Sequence, residues 1–168
     1  MNISSIQNGE NNGLVRASLN QVIAFVNSLI TYIIQSALIS FNQNTLSAFG
    51  DFSFAAKAGY TYIIDGFITG TADGTGAALE LGFIGSGNCY MSICGPISST
   101  TVRTSFTESF NTACSTGFFT SSYVGGLQYK AVLQPDVNQT ISLGALINSG
   151  HSFSLHKGSF MQVTCVPN

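Results

Sequence analysis

Charge is what this sequence has least of. Asp, Glu, Lys and Arg together make up 7% of its 168 residues, against about 25% in an ordinary soluble chain. The five basic residues, Arg16, Lys57, Arg103, Lys130 and Lys157, are scattered and form no cluster. Proteins that package or read nucleic acid neutralise its phosphates with many Lys and Arg contacts, so nucleic acid is excluded as a partner. Low charge also removes the usual guard against association. The polar share falls to Ser, Thr, Asn, Gln and Gly, which is the composition of a chain built to be assembled.

The signatures of chemistry are missing too. No GxSxG elbow occurs, and "GTGAALELG" has neither the Lys nor the helix of a phosphate cradle. The acids Glu10, Asp51, Asp65, Asp73, Glu80, Glu108 and Asp136 stand singly, without the paired carboxylates of a glycosidase. Asp73 lies in "TADGTG", where one carboxylate is too few for calcium and an Asp-Gly turn at a loop tip is the plain reading. Asp65, inside an apolar run, either faces solvent or pairs with a base such as Arg103. His151 and His156 flank "SFSL", and their odd spacing puts them on opposite faces of a strand, so they do not share a metal. Cys89, Cys94, Cys114 and Cys165 contain no CxxC and are read as free thiols. No catalytic, cofactor-binding or metal-binding residue is expected.

Targeting signals are likewise not found. The start, "MNISSIQNGENNGLVRASLN", lacks a cationic region and a clean apolar core, so cytosolic synthesis without secretory export is expected. The stretch Leu19 to Phe41 is apolar but interrupted by Asn20, Gln21, Asn27 and Gln35, which a membrane span would have to pair inside lipid. No membrane partner is expected.

What is present divides in two. Residues 1–40 read as a polar arm followed by an amphipathic helix from about Arg16 to Ile30, with a strand taking over before Phe41. Leu19, Val22, Val26, Leu29 and Ile33 recur at spacings of 3, 4, 3 and 4, an a/d seam and the expected oligomer interface. Residues 41–168 read as one sandwich domain. Ten short runs, from "DFSFAA" to "SFMQVTCV", are separated by Gly, Asn, Ser and Pro. Leu127, Tyr129, Ala131 and Leu133 face opposite to Gln128, Lys130, Val132 and Gln134. Many short alternating strands without helical periods between them predict an antiparallel jelly-roll β-sandwich, hence an all-β fold preceded by one N-terminal helix.

The stretch "FSFAAKAGYTYIIDGFITG" (Phe52 to Gly70) is a strand, a tight turn and a second strand apolar on both faces. It resembles small β-sandwich domains of tailed-phage virion proteins. The closing runs "LQYKAVLQ", "TISLGALIN" and "KGSFMQVTCV" resemble the second half of the same domains, so the likeness covers about Ser40 to Val166. The architecture is shared with C1q-like and tumour-necrosis-factor-like domains, which are characteristically trimeric. The resemblance implies a virion structural protein and a homotrimer. It would be a decoration (cement) protein on a major capsid protein, or alternatively the receptor-binding head of a short fibre. In the head reading, loops near "TADGTG" and "ACSTGFF" and aromatics such as Phe118, Phe119 and Tyr123 would meet the receptor.

Overall fold

The computed structural model describes residues 19–24, 26, 29–74, 76–96, 102–119 and 125–168. A short helix, α1 (residues 19–24), precedes twelve strands. These are β1 (Ile30–Ile34), β2 (Ile39–Phe41), β3 (Ser47–Ala56), β4 (Tyr60–Ala72), β5 (Ala77–Ile84), β6 (Gly87–Pro96), β7 (Val102–Ser109), β8 (Cys114–Phe119), β9 (Gly125–Pro135), β10 (Gln139–Ile147), β11 (Phe153–Leu155) and β12 (Phe160–Pro167).

They form two antiparallel sheets. The larger has the order β1-β12-β4-β9-β6-β7, with β11 pairing both β4 and β2; the smaller is β3-β10-β5-β8. From β3 onward the chain crosses between sheets at nearly every connection. Only the β6–β7 hairpin and the β11–β12 connection stay within one sheet. This wrapping makes an all-β sandwich of jelly-roll order. The expected "strand, turn, strand" unit is therefore a corner. Lys57 to Gly59, with Gly59 at φ 79°, carries the chain from β3 in the small sheet to β4 in the large one.

Strand alternation places the core between the sheets. β4 sends Tyr62, Ile64 and Ile68 inward, β9 sends Leu127, Tyr129 and Leu133, β5 sends Leu79, Leu81 and Phe83, and β10 sends Ile141, Leu143 and Ile147, all buried. Two glycines make room for rings from neighbouring strands. A Cβ on Gly66 would overlap the Tyr129 ring, and one on Gly70 would overlap Phe153.

The N-terminal segment passes from helix to strand close to the expected place. The last described helical residue is Val26, and the Leu29 N–H bonds its carbonyl at 3.2 Å. β1 begins at Ile30, where the helix was expected to end and a strand to take over before Phe41. Residues 30–34, "ITYII", are β-branched and aromatic, which favours a strand, and β1 pairs with β12 from Ile30 to Ile34. Gln35, buried, then locks the segment in place. Its backbone N–H bonds the Ser159 carbonyl at 2.8 Å, and its Oε1 accepts from the Asp51 N–H at 3.2 Å.

Candidate interaction surface

The expected interface residues do not share one helix. Leu19 and Val22 lie exposed on α1, and Val26 is half-buried at its end. Leu29 sits in a turn, and Ile33 is on β1, packed against the core. The seam left to the helix is Leu19, Val22 and Val26. The polar arm and Tyr123 lie outside the described residues, as do the side chains of Phe118, Phe119 and Arg103.

A different surface stands out. Of eleven large hydrophobic side chains exposed among the described residues, seven lie on the outer face of the large sheet: Tyr32, Ile34, Ile63, Tyr90, Phe106, Val132 and Val166. Strand register sets them in ranks across the sheet. One rank reads Ile30, Thr164, Ile63, Val132 and Tyr90 from β1 to β6. The next reads Tyr32, Gln162, Asp65, Lys130, Ser92 and Phe106. A third holds Ile34, Phe160, Phe67, Gln128, Cys94 and Thr104, with the Phe67 and Phe160 rings stacked at 6.5 Å. A shallow groove of about 240 Å³ is lined by Tyr90 and Phe106 together with Ser92 and Glu108.

The small sheet is built the other way. Its outward positions on β5 and β10 are Ala78, Glu80, Gly82, Ile84, Thr140, Ser142, Gly144 and Leu146, of which Ile84 and Leu146 are half-buried, and none of the exposed large hydrophobics among the described residues lies there. A sheet that meets water on one face alternates polar-out with apolar-in. On β5 and β10 the small sheet follows this more closely than the large sheet, whose outer face carries seven exposed large hydrophobics.

Charge on the apolar face is confined to few groups. At its centre Lys130 Nζ lies 3.1 Å from Asp65 Oδ1, on side chains 70% and 48% exposed. The two residues are direct cross-strand partners on β4 and β9. Asp65 thus does both things expected of it, facing solvent and pairing with a base, though the base is Lys130.

The structure also joins two residues that the sequence read separately. Asp73, after β4, accepts from His151 Nδ1 at 3.1 Å, from the Ser152 N–H at 2.8 Å and from the Ser152 hydroxyl at 3.0 Å. Both Ser and His are bonded to the carboxylate and no Ser–His hydrogen bond forms here, so this is not the nucleophile–base order of a triad. It is a clasp between two loops. Desolvation pushes the Asp73 carboxyl up, but the bonds from His151 and Ser152 outweigh it and hold the group below its ordinary value near 3.8. A depressed carboxyl stabilises the fold above its unfolded-state pKa, and the contribution is lost as pH falls through the folded-state pKa. Melting temperature should therefore drop below about pH 4 more steeply in the wild type than in Asp73→Asn. Parallel curves from a thermal titration of the two would remove the clasp from the stability account.

All four cysteines are free thiols. Cys89 and Cys114 are buried, and burial pushes their thiols up to about 12 and about 11; Cys94 is exposed on the apolar face and Cys165 is half-buried. Among the described residues no three His, Cys, Asp or Glu side chains cluster to hold a metal, and no helix is long and apolar enough to cross a membrane.

No protein-family model and no curated protein matches the chain. Among solved structures, the VP2 subviral particle of infectious bursal disease virus is similar at 14% identity and a TM-score of 0.24, over 83% of this chain and 41% of that one. A structure of the Gx strain of the same virus is similar at 12% identity and a TM-score of 0.23, with the same coverage. This chain thus spans about two fifths of those chains, and at such TM-scores no function is drawn from the likeness.

Proposed function

We propose that this protein is a non-enzymatic virion structural component, a decoration (cement) protein that stabilises a phage capsid by bridging its subunits. It assembles with itself, as a homotrimer, and with a major capsid protein. The observation that carries this reading is the contrast between the two sheets: among the described residues, most of the exposed large hydrophobics gather on the outer face of one, and none lies on the outer face of the other. A contiguous exposed apolar face of this size marks an interaction site. The scarcity of charge fits permanent burial against neighbours, and the missing basic residues set the chain apart from coats that line a genome. The trimeric receptor-binding head of a fibre is the competing reading, favoured by the aromatic groove between Tyr90 and Phe106.

Antibody labelling of purified virions separates the two, at the capsid shell for a decoration protein and at fibre tips for a receptor-binding head. Self-assembly is tested by light scattering on the full chain and on residues 29–168. The expected result is the same oligomer in both, because most of the apolar surface lies on the sandwich. An oligomer that falls to monomer on truncation would give the interface to Leu19, Val22 and Val26.

A further inference from the structure

Five apolar side chains packed on the core remain partly open: Ile33, Ile39, Phe54, Tyr60 and Cys165. Four of them, all but Ile39, line a single cleft of about 550 Å³. That volume lies within the range of small-molecule sites, about 300–1,000 Å³. The cleft opens between β1, the edge of the large sheet, and β3, the edge of the small one; each pairs with only one neighbour. Val163 and Tyr62, both buried, contribute to its walls. The Phe54 and Tyr62 rings meet at 5.2 Å, and the Tyr62 hydroxyl is held by the Lys57 backbone N–H at 2.8 Å. The Lys57 side chain is exposed, lines the same cleft and has no carboxylate partner among the described residues.

A cleft with apolar walls at Ile33, Phe54 and Val163, polar groups at Thr31 and Ser53 and one uncompensated cation selects for a molecule of matching mixed polarity. We propose that the cleft binds a single-chain amphiphile with a carboxylate head, a medium-chain fatty acid. The tail lies along Ile33, Phe54, Val163 and Cys165, and the carboxylate meets the Lys57 ammonium. Each methylene leaving water adds to binding; the ion pair, exposed at the mouth, contributes orientation more than affinity. The site is separate from the outer face of the large sheet and does not depend on how the chain assembles.

The test uses decanoate and decanol as probes on the full chain, by calorimetry and by maleimide labelling of Cys165 in a Cys94→Ser background. Cys89 and Cys114 are buried and stay silent in that assay. Decanoate is expected to bind saturably and to slow Cys165 labelling. Lys57→Ala should weaken decanoate about fivefold, as for a partly exposed ion pair, and leave decanol unchanged. Thr31→Trp, which places a ring in the cleft from an exposed position, should abolish both. The proposal is overturned by the absence of saturable binding, or by a Cys165 unreactive in the free chain, which would mean the cleft is filled. Binding that neither substitution alters also overturns it and puts the amphiphile on the outer sheet face.

Discussion

Gly66→Ala is expected to cost about 3 kcal/mol, the upper part of the range for overpacking a core, and to lower the melting temperature by about 10 °C in a chain of this size. Gly66 lies on the inward face of β4, and the ring of Tyr129 from β9 occupies the space a side chain would need. Tyr129 is 1% exposed, so it has no solvent to swing into, and β4 is hydrogen-bonded on both sides and cannot retreat. Tyr129→Leu alone should also destabilise, by leaving unfilled volume. The two together should cost less than their sum by about 1 kcal/mol or more, because residues in contact couple. Thermal denaturation of the four chains of this cycle reads the coupling directly. Additive losses would mean that strain at Gly66 lies in the backbone and not against Tyr129.

The pairing of glycine with an aromatic across strands shows what one sequence can and cannot convey. The ten alternating runs from "DFSFAA" to "SFMQVTCV" correspond to β3 through β12, since period-two alternation is local and needs only the strand itself. Their pairing is not local. Asp65 and Lys130, or Asp73 and His151, stand 65 and 78 residues apart, and only the wrapping of the sandwich makes them neighbours. The N-terminal seam is divided between helix and strand for a different reason. Spacings of 3 and 4 continue through Leu29 to Ile33 in either conformation, but the run "ITYII" finds a partner in β12 and takes the strand form. The tight turn at Lys57 to Gly59 is legible, but a turn between alternating strands does not announce which sheet the second strand joins. One reading from the sequence was sharper than a single sandwich satisfies. β4 is written apolar on both faces, a pattern found where both faces are covered, yet this chain covers only one.

The outer face of the large sheet should therefore be where assembly is lost. The five ladders from β1 to β7, about 4.8 Å wide and paired over five, eight, nine, eight and seven residues of about 3.4 Å each, outline a face of about 600 Å², or about 1,200 Å² when both partners are counted, at the lower end of the range for a stable interface. Val132→Asp with Phe106→Asp puts one charge near the middle of that face and one toward its β7 edge. Both sites are well exposed in the isolated chain, 40% and 73%, so folding should be nearly untouched. In the assembly each carboxylate would be taken from water without a partner, a loss of several kcal/mol apiece, and association should weaken by at least about a thousandfold. Thr140→Asp with Ser142→Asp, on the outer face of the small sheet, serves as the matched control and should leave the mass unchanged. Sedimentation across a concentration series reads all three chains. If the control dissociates as readily as the test, charge itself and not the apolar face governs assembly. A wild-type chain that stays monomeric at about 100 μM, where even weak interfaces of this size form, would leave the second face of β4 to a partner other than this chain.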